Sequence, residues 1–128
     1  MTTVLIVDDE PNVVELVRVT LEDDRLHVIA AMSGAEALEL VAASRPDLIL
    51  LDVNLPDLSG LEVCRRLRRE PYVAECRIVM LTAAAQREDV RCGLAAGADE
   101  YLTKPFSPVR LLTLVEALVP GLTLWARK

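Results

Sequence analysis

Five side chains that could act together in chemistry each stand at the end of a short apolar run. They are Asp8, Asp9, Asp52, Thr82 and Lys104. If the apolar runs are parallel strands, their carboxyl ends meet at one edge of a sheet, which is where open α/β folds bind ligands. We therefore expect three carboxylates, a hydroxyl and an ammonium group to gather at that edge.

Clustered carboxylates repel one another, and their proximity raises the pKa of at least one of them unless a cation neutralises the site. The candidate ligands are carboxylates, a carbonyl and waters, without a histidine or cysteine nearby, and such an oxygen set favours Mg²⁺ over zinc. We predict that Asp9 and Asp52 bind the ion directly. Asp8 is expected to bind it through a water molecule, and Asn54 through its backbone carbonyl.

Lys104 and Thr82 offer what an incoming phosphoryl group needs. The lysine supplies a fixed positive charge for one phosphoryl oxygen, and the threonine supplies a hydroxyl donor for a second. Phosphoryl transfer requires little from a protein beyond alignment and neutralisation of charge. The set therefore predicts a site at which a phosphoryl group is transferred to Asp52.

Five short apolar runs predict the strands that must position these side chains. They cover residues 4–7, 26–31, 48–51, 78–81 and 101–102. Several are continuous rather than alternating, which is typical of strands buried on both faces. Segments of helical period lie between them, so strand and helix alternate five times. This alternation predicts an α/β fold, an open parallel sheet with helices on both faces.

Residues that favour helix ends mark the boundaries of the helical segments. Pro11 suits the opening turn of the first segment, and Ser33 with Glu36 forms a capping box for the second. The fourth segment runs through Val90 and is expected to end at Gly97, a residue suited to the position after a helix. The third segment has a basic side that we expect to be solvated. Its arginines are Arg65, Arg66, Arg68 and Arg69.

The 128 residues are enough for one domain with a buried core. We expect that domain to span residues 1–118, followed at 119–128 by a tail or the start of a linker. The chain is 52% hydrophobic but only 3% aromatic, which is typical of helices packed on a sheet rather than of a surface that stacks bases. The net charge of -6 repels phosphodiester backbones, so direct nucleic-acid binding is not expected.

Cysteine usage and the N-terminal residues favour a reducing compartment. Cys64, Cys76 and Cys92 are odd in number and form no CxxC pair, so they predict neither a disulfide framework nor a zinc site. Neither a basic region nor a cleavage site accompanies the first apolar run, so no secretory signal is predicted. Residues 111–125 are interrupted by polar and helix-breaking residues and fall short of the roughly 20 needed for a span. We therefore expect a cytoplasmic protein with no membrane segment.

Four motifs in the chain resemble the response-regulator receiver family of two-component signal transduction, the CheY-like superfamily. They are VDDEP at 7–11, LDVNLPDLSG at 51–60, LTA at 81–83 and GADEYLTKPF at 97–106. The resemblance extends from residue 2 to about residue 118. It implies a flavodoxin-like three-layer sandwich with five helices and a five-stranded parallel sheet in the order 2-1-3-4-5.

The resemblance also implies a function. Asp52 would accept a phosphoryl group from a histidine kinase or phosphotransfer protein, or from a small phosphodonor, in a Mg²⁺-dependent step. Such a domain catalyses only its own phosphorylation and dephosphorylation, so we do not expect an enzyme acting on other substrates. Thr82 would be drawn to the phosphoryl group while Tyr101 turns inward, which shifts the populations of two states. The Lys104–Pro105 bond is expected to be cis.

In this family the switch reshapes the face of the fourth helix, the fifth strand and the fifth helix toward an output domain or effector protein. Many receivers attached to DNA-binding domains form a symmetric dimer through that face, with acids and arginines paired across it. Asp99, Glu100 and Arg91 are present, but the fifth helix lacks the acid and two arginines of that pattern. A homodimer would therefore rest on the leucines of that helix. The small Asn54 and Ala84 predict rapid self-dephosphorylation, because little bulk shields the acyl phosphate from water.

Three other functions fit parts of the same pattern. A flavodoxin-like nucleotide or flavin carrier would need a phosphate-cradling loop after the first strand, where residues 8–11 form an acidic turn instead. A phosphatase with an aspartyl nucleophile usually places a second acid two residues later, and this chain has Asn54 there. A degenerate receiver that acts only as a docking surface would not need the complete set of acids and lysine.

Overall fold

The computed structural model describes residues 1–83, 91–92 and 94–121. Five β-strands lie within these ranges: β1 (Thr2–Val7), β2 (Leu26–Ala31), β3 (Leu48–Asp52), β4 (Arg77–Ala83) and β5 (Glu100–Lys104). The four α-helices bounded within them are α1 (Pro11–Leu21), α2 (Gly34–Ser44), α3 (Gly60–Arg68) and α4 (Pro108–Leu118). A single 3₁₀ turn, Pro71–Val73, precedes β4. Helix α4 is the fifth helix predicted from the sequence.

The predicted fourth helix falls largely on residues 84–90 and 93, so Ala84 and Val90 lie outside the described residues. Around the gap, residues 91–92 and 94–95 are helical. The chain then turns at Gly97, whose φ of 109° is a conformation that L side chains rarely adopt. Glycine is thus required at the position where the sequence predicted the end of this helix.

The five strands form one parallel sheet in the order β2-β1-β3-β4-β5, which confirms the prediction. The register of the central strands matters for the site. Val7 of β1 pairs with Leu51 of β3, so the residues that follow them, Asp8 and Asp52, come out side by side. The sheet therefore delivers the two acids to the same point of its carboxyl edge.

Two apolar clusters cover the two faces of the sheet. Alternate residues of β1 divide between them: Val4 and Ile6 belong to one, and Leu5 and Val7 to the other. The first cluster contains the apolar side chains of α1 and α4, and the second contains those of α2 and α3. Burial on both faces explains the continuous apolar runs of the strands and gives the three layers that were predicted.

Three side chains accept hydrogen bonds from backbone N–H groups at the N-terminus of helix α2. The Ser33 hydroxyl accepts a hydrogen bond from the Glu36 N–H at 3.2 Å, as the predicted capping box requires. The Glu36 carboxylate, however, accepts from the N–H of Met32 at 2.6 Å, one residue earlier than an ideal box. Asp57, which lies 23 residues further along the chain than Gly34, accepts from the Gly34 N–H at 2.8 Å. This long-range cap ties α2 to the loop that follows β3.

At its C-terminal end, α4 stops at Leu118, before Pro120 and Gly121 as predicted. Val119 is buried and joins the first apolar cluster, one residue beyond the predicted domain boundary. Residues 122–128 of the predicted tail lie outside the described part of the chain. Among the helices that are described, none combines the length and apolar character needed to cross a bilayer.

Candidate functional site

Asp8 and Asp52 lie together at the carboxyl edge of the sheet and are both buried. Asp8 is 0% exposed and Asp52 is 5% exposed. Each is fixed by a tight turn of the chain that follows it, because the N–H two residues later donates to one carboxylate oxygen. These bonds run from Glu10 to Asp8 at 2.9 Å and from Asn54 to Asp52 at 3.0 Å. The second oxygen of each carboxylate remains available for other partners.

The loop after β3 can approach Asp52 closely because position 60 is a glycine. The Gly60 N–H donates to the Val53 carbonyl at 2.8 Å. A Cβ atom at position 60 would lie 2.0 Å from the Asp52 carbonyl oxygen, a distance that no side chain could tolerate. The glycine of the LSG motif is therefore a steric requirement of the turn that positions the acid.

Lys104, at the end of β5, places its ammonium group between the acids. Its Nζ atom lies 2.7 Å from Oδ2 of Asp8, 3.1 Å from Oδ2 of Asp52 and 3.4 Å from Oε1 of Glu10. Burial opposes the charge on this lysine, but the contacts with Asp8 and Asp52 outweigh it and raise the pKa of Lys104. The site therefore contains a permanent cation at neutral pH.

The carboxyl group of Asp52 is under opposing influences. Burial raises its pKa, and the negative charge of Asp8 adds to that effect, whereas the Asn54 N–H and the Lys104 ammonium lower it. The net result is a pKa above the ordinary value for an aspartate. A further positive charge near this carboxylate would favour its ionised, nucleophilic form.

The oxygen atoms around Asp52 suit a divalent cation, which would supply this positive charge. Oxygen atoms of Asp8, Glu10 and Asp52 all lie within 4.8 Å of one another, and Lys104 offsets only one of the three charges that these acids carry when ionised. The excess of negative charge and the all-oxygen chemistry suit a hard divalent cation such as Mg²⁺. The predicted ligand Asp9 is exposed and lies outside this group of three acids. It lines the adjacent groove together with Asn54.

Glu10 is the site residue that the sequence prediction missed. It directly follows the two aspartates, so a third acid at the start of a predicted helix was a visible signal. The sequence did not reveal that its side chain turns back toward Lys104.

Thr82 and Tyr101, the predicted switch residues, occupy different environments. Thr82 is 3% exposed, and its hydroxyl has no hydrogen-bond partner within the described part of the chain. Tyr101 is 36% exposed on β5, where it pairs in register with Met80 of β4. The Lys104–Pro105 peptide bond is cis. Burial of a hydroxyl without a hydrogen-bond partner is unfavourable, so a new hydrogen bond to the Thr82 hydroxyl would lower the free energy of the folded protein.

One residue of the arginine cluster departs from the expected solvated face. Arg68 donates to the carbonyl oxygens of Gly97 at 2.8 Å, Val73 at 3.0 Å and Cys76 at 2.8 Å, and to the Asp99 carboxylate at 2.6 Å. The expectation was wrong for this residue because the turn after α3 brings the Val73 and Cys76 carbonyls to the guanidinium group, and the fold adds Gly97, which is 29 positions away in the sequence. Asp99 is consequently committed to partners within its own chain.

The chain is similar in sequence to proteins of one known family. A model of the family described as response regulator receiver domain matches residues 4–116. The alkaline phosphatase synthesis transcriptional regulatory protein PhoP of Bacillus subtilis is 45% identical over 116 residues, which cover 91% of this chain and 48% of PhoP. The phosphate regulon transcriptional regulatory protein PhoB of Pseudomonas aeruginosa is 41% identical over 117 residues, covering 91% and 51%. The chain thus spans about half the length of these curated relatives.

Comparison with solved structures also finds response regulators. The chemotaxis response regulator CheY4 of Vibrio cholerae superposes with a TM-score of 0.87 at 35% identity. The match covers 93% of this chain and 99% of the CheY4 chain.

Proposed function

The chain belongs to the response regulator receiver domain family, and we propose that it receives a phosphoryl group on Asp52. A receiver is a signalling domain of two-component systems rather than a classical enzyme. The observation that carries the assignment of Asp52 is its contact with Lys104 at 3.1 Å, beside a second buried acid. A carboxylate paired with a fixed cation at the carboxyl edge of a parallel sheet is suited to accept an anionic group.

In the proposed reaction an Oδ atom of Asp52 forms a bond to phosphorus while the bond between phosphorus and the donor atom breaks. Lys104 moves its ammonium from the Asp52 carboxylate to a phosphoryl oxygen, and the Thr82 hydroxyl, which has no hydrogen-bond partner among the described residues, donates to another. The donor leaves with the electron pair of the broken bond. These residues thus supply alignment and charge, which is what phosphoryl transfer chiefly requires.

Mg²⁺ fits the acids around Asp52, and when bound it would neutralise the charge that builds up on the phosphoryl oxygens. Asp8 and Asp52 have oxygens placed for this role, and Asp9 with the Asn54 carbonyl would complete the predicted ligand set. Ordinary self-dephosphorylation would use the same site, with water as the attacking group. Little bulk at Asn54 supports a short lifetime for the phosphorylated form.

The proposal extends to the signalling partners. A histidine kinase or phosphotransfer protein would supply the phosphoryl group in the cytoplasm. PhoP and PhoB are named as transcriptional regulatory proteins, and this chain covers about half of each, so an output domain for transcription would follow the receiver. Thr82 and Tyr101 would link phosphorylation to the face formed by β5, α4 and the predicted fourth helix. Nucleic acid would then be bound by the output domain and not by this acidic segment.

An uptake experiment tests the assignment. The protein is incubated with Mg²⁺ and acetyl phosphate, and intact mass spectrometry follows the addition of a phosphoryl group. We expect uptake by the wild type and by Asp24→Asn, the same change at an exposed acid that precedes β2. Asp52→Asn and chelation of the metal should each abolish uptake. Equal uptake by Asp52→Asn and wild type would remove Asp52 from its proposed role.

A further inference from the structure

Glu10 is the most exposed member of the group that it forms with Asp8, Asp52 and Lys104. Its side chain is 62% exposed, whereas that of Lys104 is 19% exposed, that of Asp52 is 7% exposed and that of Asp8 is 0% exposed. Glu10 is therefore the member of this group that solvent reaches most readily, and its carboxylate lies 3.4 Å from the Lys104 ammonium that an incoming anion would contact.

The side chain of Glu10 is not used to hold the fold. Glu10 occupies the N-cap position of α1, but its carboxylate makes no capping hydrogen bond. Pro11 sets the first turn of the helix, and Glu10 takes part in that turn through its backbone alone: its N–H donates to Asp8 and its carbonyl accepts from the N–H groups of Val13 and Val14. The carboxylate points instead to Lys104, with Oε1 at 3.4 Å from Nζ. Its charge can therefore be altered without removing a cap.

The surroundings of the Glu10 carboxylate strengthen the repulsion between its charge and anions. Glu10 and Lys104 also line a groove of about 400 Å³ whose remaining walls include the apolar Val13, Leu16 and Phe106. Low-polarity walls beside a charge weaken the screening by water, so a negative group at the entrance repels anions more strongly than an isolated surface carboxylate. Glu10 also competes with an incoming phosphoryl oxygen for the ammonium of Lys104.

We propose that Glu10 is a specificity-determining residue that disfavours phosphorylation by free, highly charged small phosphodonors. The inference rests on the proposed phosphorylation of Asp52. A donor carried by a protein gains contacts over a large surface that offset repulsion from one carboxylate, whereas a small anion has no such contacts. Glu10 acts on the donor through its charge and forms no bond to the group that is transferred.

Initial rates of phosphorylation at saturating Mg²⁺ test this role. For Glu10→Gln with acetyl phosphate, a dianion, we expect a rate about three- to fivefold above wild type at low ionic strength. With phosphoramidate, which carries a net single negative charge, the increase should be smaller. In about 1 M salt, where the screening length falls to about 3 Å, the rates of variant and wild type should converge. A residue that mattered only for folding would produce neither the donor dependence nor the salt dependence.

The matched control is Glu15→Gln, which removes the same charge from an exposed position of α1 that does not contact Lys104. Its rates should equal those of wild type. An unchanged or lower rate for Glu10→Gln would overturn the inference while leaving the phosphorylation of Asp52 intact, since the wild type would still take up phosphate. Absence of uptake by the wild type would instead overturn the proposed function, and the inference with it.

Discussion

The Nζ atom of Lys104 lies 3.1 Å from Oδ2 of Asp52, although the two residues are 52 positions apart in the sequence. Lysine and acceptor are thus already paired before any phosphoryl donor arrives. The pairing helps to keep the buried carboxylate ionised, because the ammonium lowers a pKa that burial raises. In the proposed transfer this contact would open, so Lys104 would link the stability of the resting site to its reactivity.

Replacement of this lysine should therefore affect stability and metal response together. In Lys104→Met the buried acids Asp8 and Asp52 lose their cation, and we expect a loss of about 2–4 kcal/mol in the free energy of unfolding without metal. Added Mg²⁺ should recover more stability in this variant than in wild type. Urea titrations with and without Mg²⁺ measure both effects, and Arg110→Met is the control at an exposed cation. An identical Mg²⁺ response in variant and wild type would argue against a shared site for the metal and the lysine.

Replacement of Thr82 should impair the response to phosphorylation without lowering the stability of the fold. Thr82→Val removes a buried group without a described partner, so the free energy of unfolding should stay constant or rise by up to about 2 kcal/mol. The same variant should lose the phosphorylation-dependent change in hydrogen exchange at β5. Thr20→Val, at the other buried threonine of the described residues, should bring no gain in stability. A large loss of stability in Thr82→Val would mean that the hydroxyl has a structural partner.

Arg68 joins the C-terminal end of α3 to the segments before β4 and β5. Its guanidinium group donates four hydrogen bonds, three of them to carbonyl oxygens and one to the Asp99 carboxylate. Arg68→Met should lower the free energy of unfolding by about 2–4 kcal/mol, as measured by urea denaturation. The neighbouring, exposed Arg69 gives the control, because Arg69→Met should change stability by no more than about 0.5 kcal/mol. Equal effects of the two changes would show that the hydrogen-bonded network does not matter.

Asp57 should contribute to stability in a way that depends on pH. The N–H groups of Ala35 and Gly34 hold the pKa of the Asp57 carboxyl below its usual value. A lowered pKa in the folded state gives stability that is complete above the unfolded pKa of about 3.9 and is lost as pH falls through the folded value. Asp57→Asn should therefore lower the urea midpoint at neutral pH, and the difference from wild type should shrink below about pH 4. A difference that is constant across this range would contradict the capping role.

The sequence predicted the strands well because β1 and β3 are buried on both faces and therefore carry uninterrupted apolar residues. It did not by itself predict the strand order, which came from the resemblance to receivers. The hydrogen bonds from Arg68 to Gly97 and Asp99 and the cap by Asp57 could not be predicted, because each joins a side chain to a group more than 20 positions away in the sequence. The contact between Glu10 and Lys104 was not predicted for a similar reason, because the two residues are 94 positions apart in the sequence.

The direct test of the central claim is to locate the phosphoryl group. After incubation with Mg²⁺ and acetyl phosphate, borohydride reduction converts an aspartyl phosphate to homoserine, which peptide mass spectrometry identifies by position. We predict homoserine at residue 52 in the wild type, and none when the donor is omitted. Homoserine at Asp8, Asp9 or another acid, with residue 52 still aspartate, would contradict it.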